Sequence, residues 1–384
     1  MELSSDSWRG GPEAAGLIGR RWRRLFLGEA VQDQDALDIA SRGGRLLRDK
    51  RPERQRIAER YLIGEAVTEW ADEPDPRPAP RRQAHSTDVT LIYCPGMLNG
   101  MMPMRAFEPE LQTLSHRTGM RVMRADLHPM DSSEANLADL TATMELGAGL
   151  DAGGRLIPEH RRTPPGDVVL LGYSKGMPDI LTLLVQRPDL ARRVRAVISW
   201  AGANMGSSLV DELHRMANKL ELDGTRGSVE ALVRMASPMI DLEAGALRRL
   251  ERFHPLECLA DLTTSVRCEF WEAHRQTLMD LNIPFLGLTG SASPLDVPYF
   301  QLQGALALSK IDRANDMQLT QAQARLDLPT WIPLAVVNAH HWDMAFRTFP
   351  APLRAGSTNL QHPFPHGAAL TATYHLLMEL GLLA

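Results

Sequence analysis

The stretch "DVVLLGYSKGMPDIL", Asp167 to Leu181, constrains this chain more than any other. An apolar run, Val168 to Leu171, drops into Gly172-Tyr173-Ser174-Lys175-Gly176 and continues into a helical pattern. A serine set between two glycines where a buried strand meets a helix predicts a sharp, strained turn that lifts the hydroxyl clear of a sheet. Glycine is needed two residues to either side because bulkier neighbours would clash. Backbone N–H groups at the helix start then point to where an oxyanion would form. Pro178, in the first helical turn, costs no hydrogen bond. The plain alternative is a glycine-flanked turn whose serine only caps the helix.

Similar apolar runs recur along the chain. They lie at 88–96, 121–129, 167–174, 194–202, 283–290 and 332–341, with helix-like segments such as "FEPELQTLSHRTG" and "MPDILTLLVQRPDL" between them. Continuous apolar runs suit strands buried on both faces, and their alternation with helices predicts an α/β fold. The expected architecture is a mostly parallel central sheet with helices on both faces and right-handed crossovers. From about residue 208 to 282 no comparable strand occurs and helical patterns dominate, which predicts a helical cap insertion. Residues 84–384 therefore read as the main domain. Residues 1–83 read as a helical N-terminal extension closed by the proline-rich linker "ADEPDPRPAPRRQ", Ala71 to Gln83.

In that extension, Ile57, Tyr61, Val67 and Trp70 fall near one face of a helix. Between Arg20 and Arg60 stand twelve basic and seven acidic side chains. This is either a solvated helical face docked by its apolar side, or a basic surface for peripheral contact with an anionic membrane or an acidic partner. The whole chain carries a formal charge of only −5 over 384 residues, so no nucleic-acid partner is implied. Cys94, Cys258 and Cys268 are too few and too scattered for a disulfide framework or a zinc site. No segment approaches the roughly 18 consecutive apolar residues of a membrane span, and the N-terminus lacks a secretory pattern. The expectation is a cytoplasmic protein. Oligomeric state is not legible.

A serine nucleophile needs a base and an acid. His340 and His341 follow the last apolar run directly, and either suits the base. For the acid, Asp296 follows the candidate strand ending at Gly290, while Asp312 and Asp316 lie nearer the histidines; position favours Asp296.

The order Gly-x-Ser-x-Gly, acid, histidine resembles the α/β-hydrolase superfamily over roughly residues 88–384. Within it, "ANDMQL" and "HHWD" resemble the Asn-Asp-Gly and His-x-Asp segments of bacterial lipases and esterases. The resemblance implies Ser174 as nucleophile, Asp316 as acid and His341 as base. Met317 stands where those enzymes carry glycine, and Pro95-Gly96 stands in place of His-Gly. The implied chemistry is hydrolysis of carboxylic esters through an acyl-enzyme, with no cofactor. Oxyanion donors are expected at the backbone N–H groups of Lys175 and Met97. An acyltransferase or thioesterase on the same triad is the alternative, or a non-catalytic binding protein of this fold.

Leu98, Tyr173 and Asn204 are candidate substrate-pocket residues, as is Ser207, although loop capping suits Asn204 and Ser207 equally well. The Lys175 side chain either points to solvent or pairs with an acid. Met97, Met101, Met102 and Met104 crowd the oxyanion loop and, with the cap, point to an apolar or lipid-like small-molecule acyl ester. His362 and His366 lack a carboxylate or cysteine at ligand spacing, so no metal is expected.

Overall fold

The computed structural model describes residues 7–41, 51–64, 67, 88–102, 104–219, 254–347 and 349–383. Seven strands form one sheet: β1 (Thr90–Cys94), β2 (Val122–Arg124), β3 (Leu150–Asp151), β4 (Val168–Tyr173), β5 (Val194–Trp200), β6 (Phe285–Ser291) and β7 (Trp331–Asn338). Their order is β3-β2-β1-β4-β5-β6-β7, and every pairing is parallel except β2 with β3. Each apolar run of the sequence holds one parallel strand. The two-residue β3 is too short to announce itself.

Strand β4 lies at the sheet's centre, and all six of its residues are buried. Val169, Leu171 and Tyr173 face one apolar layer, whereas Val168 and Leu170 face the other. The strand pleat makes this division, because successive side chains leave opposite faces. The first layer is closed by α1 (Gly11–Ala30), α3 (Glu53–Tyr61), α4 (Glu110–Thr118) and the C-terminal helix His366–Glu379. The second is closed by α5 (Ser133–Leu146), α6 (Gly176–Gln186) and the helix Thr264–Asp280. Burying one Leu, Ile or Val in such a layer contributes about 1.5–3 kcal/mol. A site at the end of β4 thus stands on a strand buried along its whole length.

The N-terminal segment is built into this core. Helix α1 buries Ile18, Trp22 and Phe26 against the C-terminal helix and β7. Trp22 Nε1 donates to Thr373 Oγ1 at 2.9 Å, and Arg21 grips Glu379 with two bonds of 2.7 and 2.5 Å. Arg23 donates to Leu334 O at 2.8 Å. Two arginines counted toward a basic surface are therefore engaged internally. A short helix α2 (Gln34–Ser41) follows. The helical pattern expected through Trp70 stops at Tyr61. There the chain straightens, Leu62 bridges Val337, and Ile63 N–H donates to Val336 O at 3.0 Å. Sheet pairing overrides helical periodicity because β7 would otherwise present an open edge. Trp70 and the expected linker lie outside the described residues.

The described parts of the cap insertion are helical: Ser208–Lys219, Pro255–Ala260 and Thr264–Asp280. Its middle, 220–253, lies outside the described residues. The Asp211 carboxylate accepts from Thr264 N–H and Thr264 Oγ1, both at 2.7 Å, and fastens the first of these helices to the last. Among the described residues, no helix is long and apolar enough to cross a membrane.

Candidate active site

Ser174 follows β4 directly at φ 53°, a left-handed conformation that costs a non-glycine residue energy and persists only where its surroundings enforce it. The glycines beside it have steric reasons. A Cβ on Gly172 would lie 2.7 Å from Met177 Sδ, and one on Gly176 would lie 2.1 Å from the Cys94 carbonyl oxygen. The second contact locks α6 against the end of β1. The Ser174 carbonyl accepts from Met177 and Ala203 N–H, each at 3.1 Å, so the turn is tied both forward into the helix and sideways to the loop after β5.

His341, just beyond β7, places Nε2 2.9 Å from Ser174 Oγ and Nδ1 2.8 Å from Asp316 Oδ2. The second oxygen of Asp316 accepts from Gln318 and Leu319 N–H, at 3.0 and 2.7 Å. Its carboxylate is thus held by backbone on one side, leaving Oδ2 for the imidazole. His341 N–H also donates to Asp316 O at 2.8 Å, joining the two loops by backbone as well as side chain. With Nδ1–H donating to Asp316, Nε2 is left to accept from the serine hydroxyl. Met317 adopts φ 73°, so this chain keeps a glycine-like backbone there despite the side chain. Its N–H is capped by Asn315 Oδ1 at 3.1 Å, which offsets the strain.

The other candidates lie elsewhere. Asp296, favoured by position, is nearly half exposed, and its carboxylate lies 3.8 Å from His362. Asp312 accepts from Ala314 N–H at 2.9 Å within its own turn. His340 is fully buried, accepts from Asp343 N–H at 3.2 Å, and burial pushes its pKa well below the ordinary value.

The loop after β1 runs close beside Ser174. A Cβ on Gly96 would lie 2.9 Å from Ser174 Cβ and 3.2–3.3 Å from the Tyr173 ring. Among the described residues, no group accepts a hydrogen bond from Met97 N–H or Lys175 N–H. The Met97 side chain packs on an apolar cluster drawn from the helical insertion and the loop that carries Asp316, including Val210, Leu259, Leu262 and Leu319.

Lys175 does not reach solvent: it is 1% exposed, and its Nζ lies 2.7 Å from Asp179 Oδ1. Burial opposes the cation, but the adjacent carboxylate outweighs it and holds the lysine above its ordinary value. Asp179 also takes a bond from Asn136 Nδ2 at 3.4 Å, so the pair is not left bare. Sequence reasoning passed over Asp179, although its i,i+4 spacing from Lys175 was the available signal.

Three candidate pocket residues make contacts within the protein. Asn204 is buried and donates to Ser199 Oγ at 3.1 Å and Ala324 O at 2.6 Å. Tyr173 is 3% exposed and its ring lies against His341. Leu98 is buried in the turn after Met97, its N–H on Pro129 O at 3.3 Å. Ser207, likewise, donates to Gln318 O at 2.6 Å, tying the start of the helical insertion to the loop that carries Asp316. Among the described residues, one group offers ligand atoms within 4.8 Å of each other: Asp131, His254 and Glu257. Two of the three are exposed, and His254 Nδ1 already lies 3.1 Å from Asp131 Oδ1.

No family model and no curated protein matches the chain. Among solved structures, a metagenomic carboxyl esterase is similar at a TM-score of 0.64 and 23% identity, over 95% of this chain and 94% of that one. A Bacillus licheniformis lipase in its mature form gives 0.44 at 18% identity, over 70% and 89%. The Staphylococcus hyicus lipase gives 0.45 at 13% identity, over 77% and 95%. With one antiparallel edge strand, a serine turn closing the central strand, and the esterase likeness spanning nearly the whole chain, the molecule has the α/β-hydrolase fold.

Proposed function

We propose that this chain is a serine hydrolase that cleaves carboxylic esters through Ser174, His341 and Asp316. The observation that carries the reading is the unbroken line of contacts from Asp316 Oδ2 through the imidazole to Ser174 Oγ, at 2.8 and 2.9 Å. His341 Nε2 takes the serine proton as Oγ attacks the acyl carbonyl, then returns it to the leaving alcohol. Asp316 holds the tautomer and stabilises the imidazolium. Met97 and Lys175 N–H receive the oxyanion, and losing one such donor costs roughly 3 kcal/mol of transition-state stabilisation. Water, activated by the same imidazole, then releases the acyl group.

The apolar cluster against Met97 supports an apolar acyl chain, because a hydrocarbon beside it gains about 25 cal/mol per Å² removed from water. The fold is shared with a carboxyl esterase, which accords with an ester substrate. Labelling with a fluorophosphonate tests the reading. Wild type should label, and Ser174→Ala should not. A folded wild type that stays unlabelled favours a binding protein of the same fold.

A further inference from the structure

The His341 imidazole is tethered at both nitrogens, by Asp316 Oδ2 and Ser174 Oγ. Those two bonds and the covalent link to Cβ leave the ring only a soft torsional freedom. A flat face packed on the ring narrows that torsion, and the Tyr173 side chain supplies one. The Tyr173 ring lies against the imidazole with centroids 5.2 Å apart and planes 31° from parallel. Its hydroxyl donates to the His341 backbone carbonyl at 2.9 Å, across 168 residues of chain. The tyrosine is itself clamped edge-on by Phe107 and Phe346, at 6.0 and 6.2 Å between centroids. Gly96 closes the side toward the oxyanion loop.

We infer that Tyr173 is a positioning residue for the base: its ring sets the imidazole plane and its hydroxyl fixes the backbone that carries it. The assignment rests on the triad reading above. It also has an electrostatic side. As His341 takes the serine proton it becomes a cation facing the π surface of the phenol ring, an attraction absent from the neutral ground state. Such a contact acts on turnover, whereas a buried side chain that meets no substrate leaves substrate affinity alone.

Steady-state kinetics on a short-chain p-nitrophenyl ester, with the second-order rate of fluorophosphonate inactivation, test it. Tyr173→Met fills the space without a flat face. It should lower both kcat and the inactivation rate about tenfold while KM stays within about twofold, since misorientation of a bound catalytic group acts on the chemical step. Tyr173→Leu serves the same comparison if the methionine variant does not fold. Tyr173→Phe keeps every ring contact and should lower kcat about threefold through loss of the hydroxyl tie; wild-type kcat there removes that tie. A folded Tyr173→Met or Tyr173→Leu with wild-type kcat and inactivation rate, or with a loss confined to KM, overturns the assignment while the triad stands. A wild type inert to the fluorophosphonate overturns the triad reading and this assignment together.

Discussion

His340 and His341 are joined by one peptide bond and live in opposite surroundings. His341 meets a half-buried serine on one side and a backbone-braced carboxylate on the other. His340 is sealed into a second cluster, where its Nε2 and His362 Nδ1 lie 3.5 and 3.4 Å from Asp343 Oδ2. Arg60, from the N-terminal segment, reaches the far nitrogen of His362 at 3.4 Å. Both clusters are buried, and what separates them is what each histidine can reach. Burial pushes the Asp343 carboxyl well above its ordinary pKa and His340 well below, disfavouring the charged form of each. The comparison teaches that residue type does not make a base. Access to a nucleophile and an anchored counter-charge do.

The sharpest way to break this contrast is to exchange the acids. Asp316→Asn should lower kcat by about ten-thousandfold, because an amide cannot hold the tautomer that leaves Nε2 free. Asp296→Asn, on an exposed carboxylate, should leave kcat within about twofold. Large loss in the second and little in the first would move the acid role to Asp296.

Next in size is a pH effect on stability that belongs to the inner cluster. Burial, aided by the Arg60 charge, pushes His362 down to about 4 from an ordinary value near 6.5. Between those values the unfolded chain binds the proton and the folded protein does not. Stability should therefore fall as pH drops from about 6.5 to 4, by about 3 kcal/mol in total, and flatten below. Urea melts of wild type and His362→Gln across this range would show a shallower slope in the variant. Parallel slopes would mean that His362 is not the group being charged.

Smallest is the effect of His340→Asn. Leaving the Asp343 N–H without its imidazole acceptor should cost about 1–2 kcal/mol of stability. The folded fraction should keep kcat within about threefold of wild type, because His340 has no contact with Ser174. Loss of turnover at unchanged stability would put His340 in the reaction after all.

Much of the arrangement was readable beforehand, for local reasons. Gly172, Ser174 and Gly176 act within five residues, so strand, turn and helix are written consecutively. The six parallel strands announced themselves because burial on both faces demands uninterrupted apolar side chains. The end of the N-terminal helix was not readable, since Leu62 leaves the helical pattern only to satisfy an edge strand almost 300 residues away. The partners of Tyr173 and Asn204 were not readable for a similar reason. A side chain's direction out of a loop is decided by partners such as His341 O and Ala324 O, which proximity in sequence does not name.

The amino-acid order alone therefore determined the α/β layering and the strained serine turn, both consequences of side-chain periodicity and glycine's missing Cβ. Position along the chain left the aspartate and the histidine open, the lipase-like segments pointed to Asp316 and His341, and the tertiary structure is what brings that pair to the serine. Asp316 and His341 are brought together by a backbone bond between two loops, and of two buried histidines only His341 points its ring at Ser174. Contacts of that kind depend on the relative placement of whole strands, a property no short stretch of sequence contains.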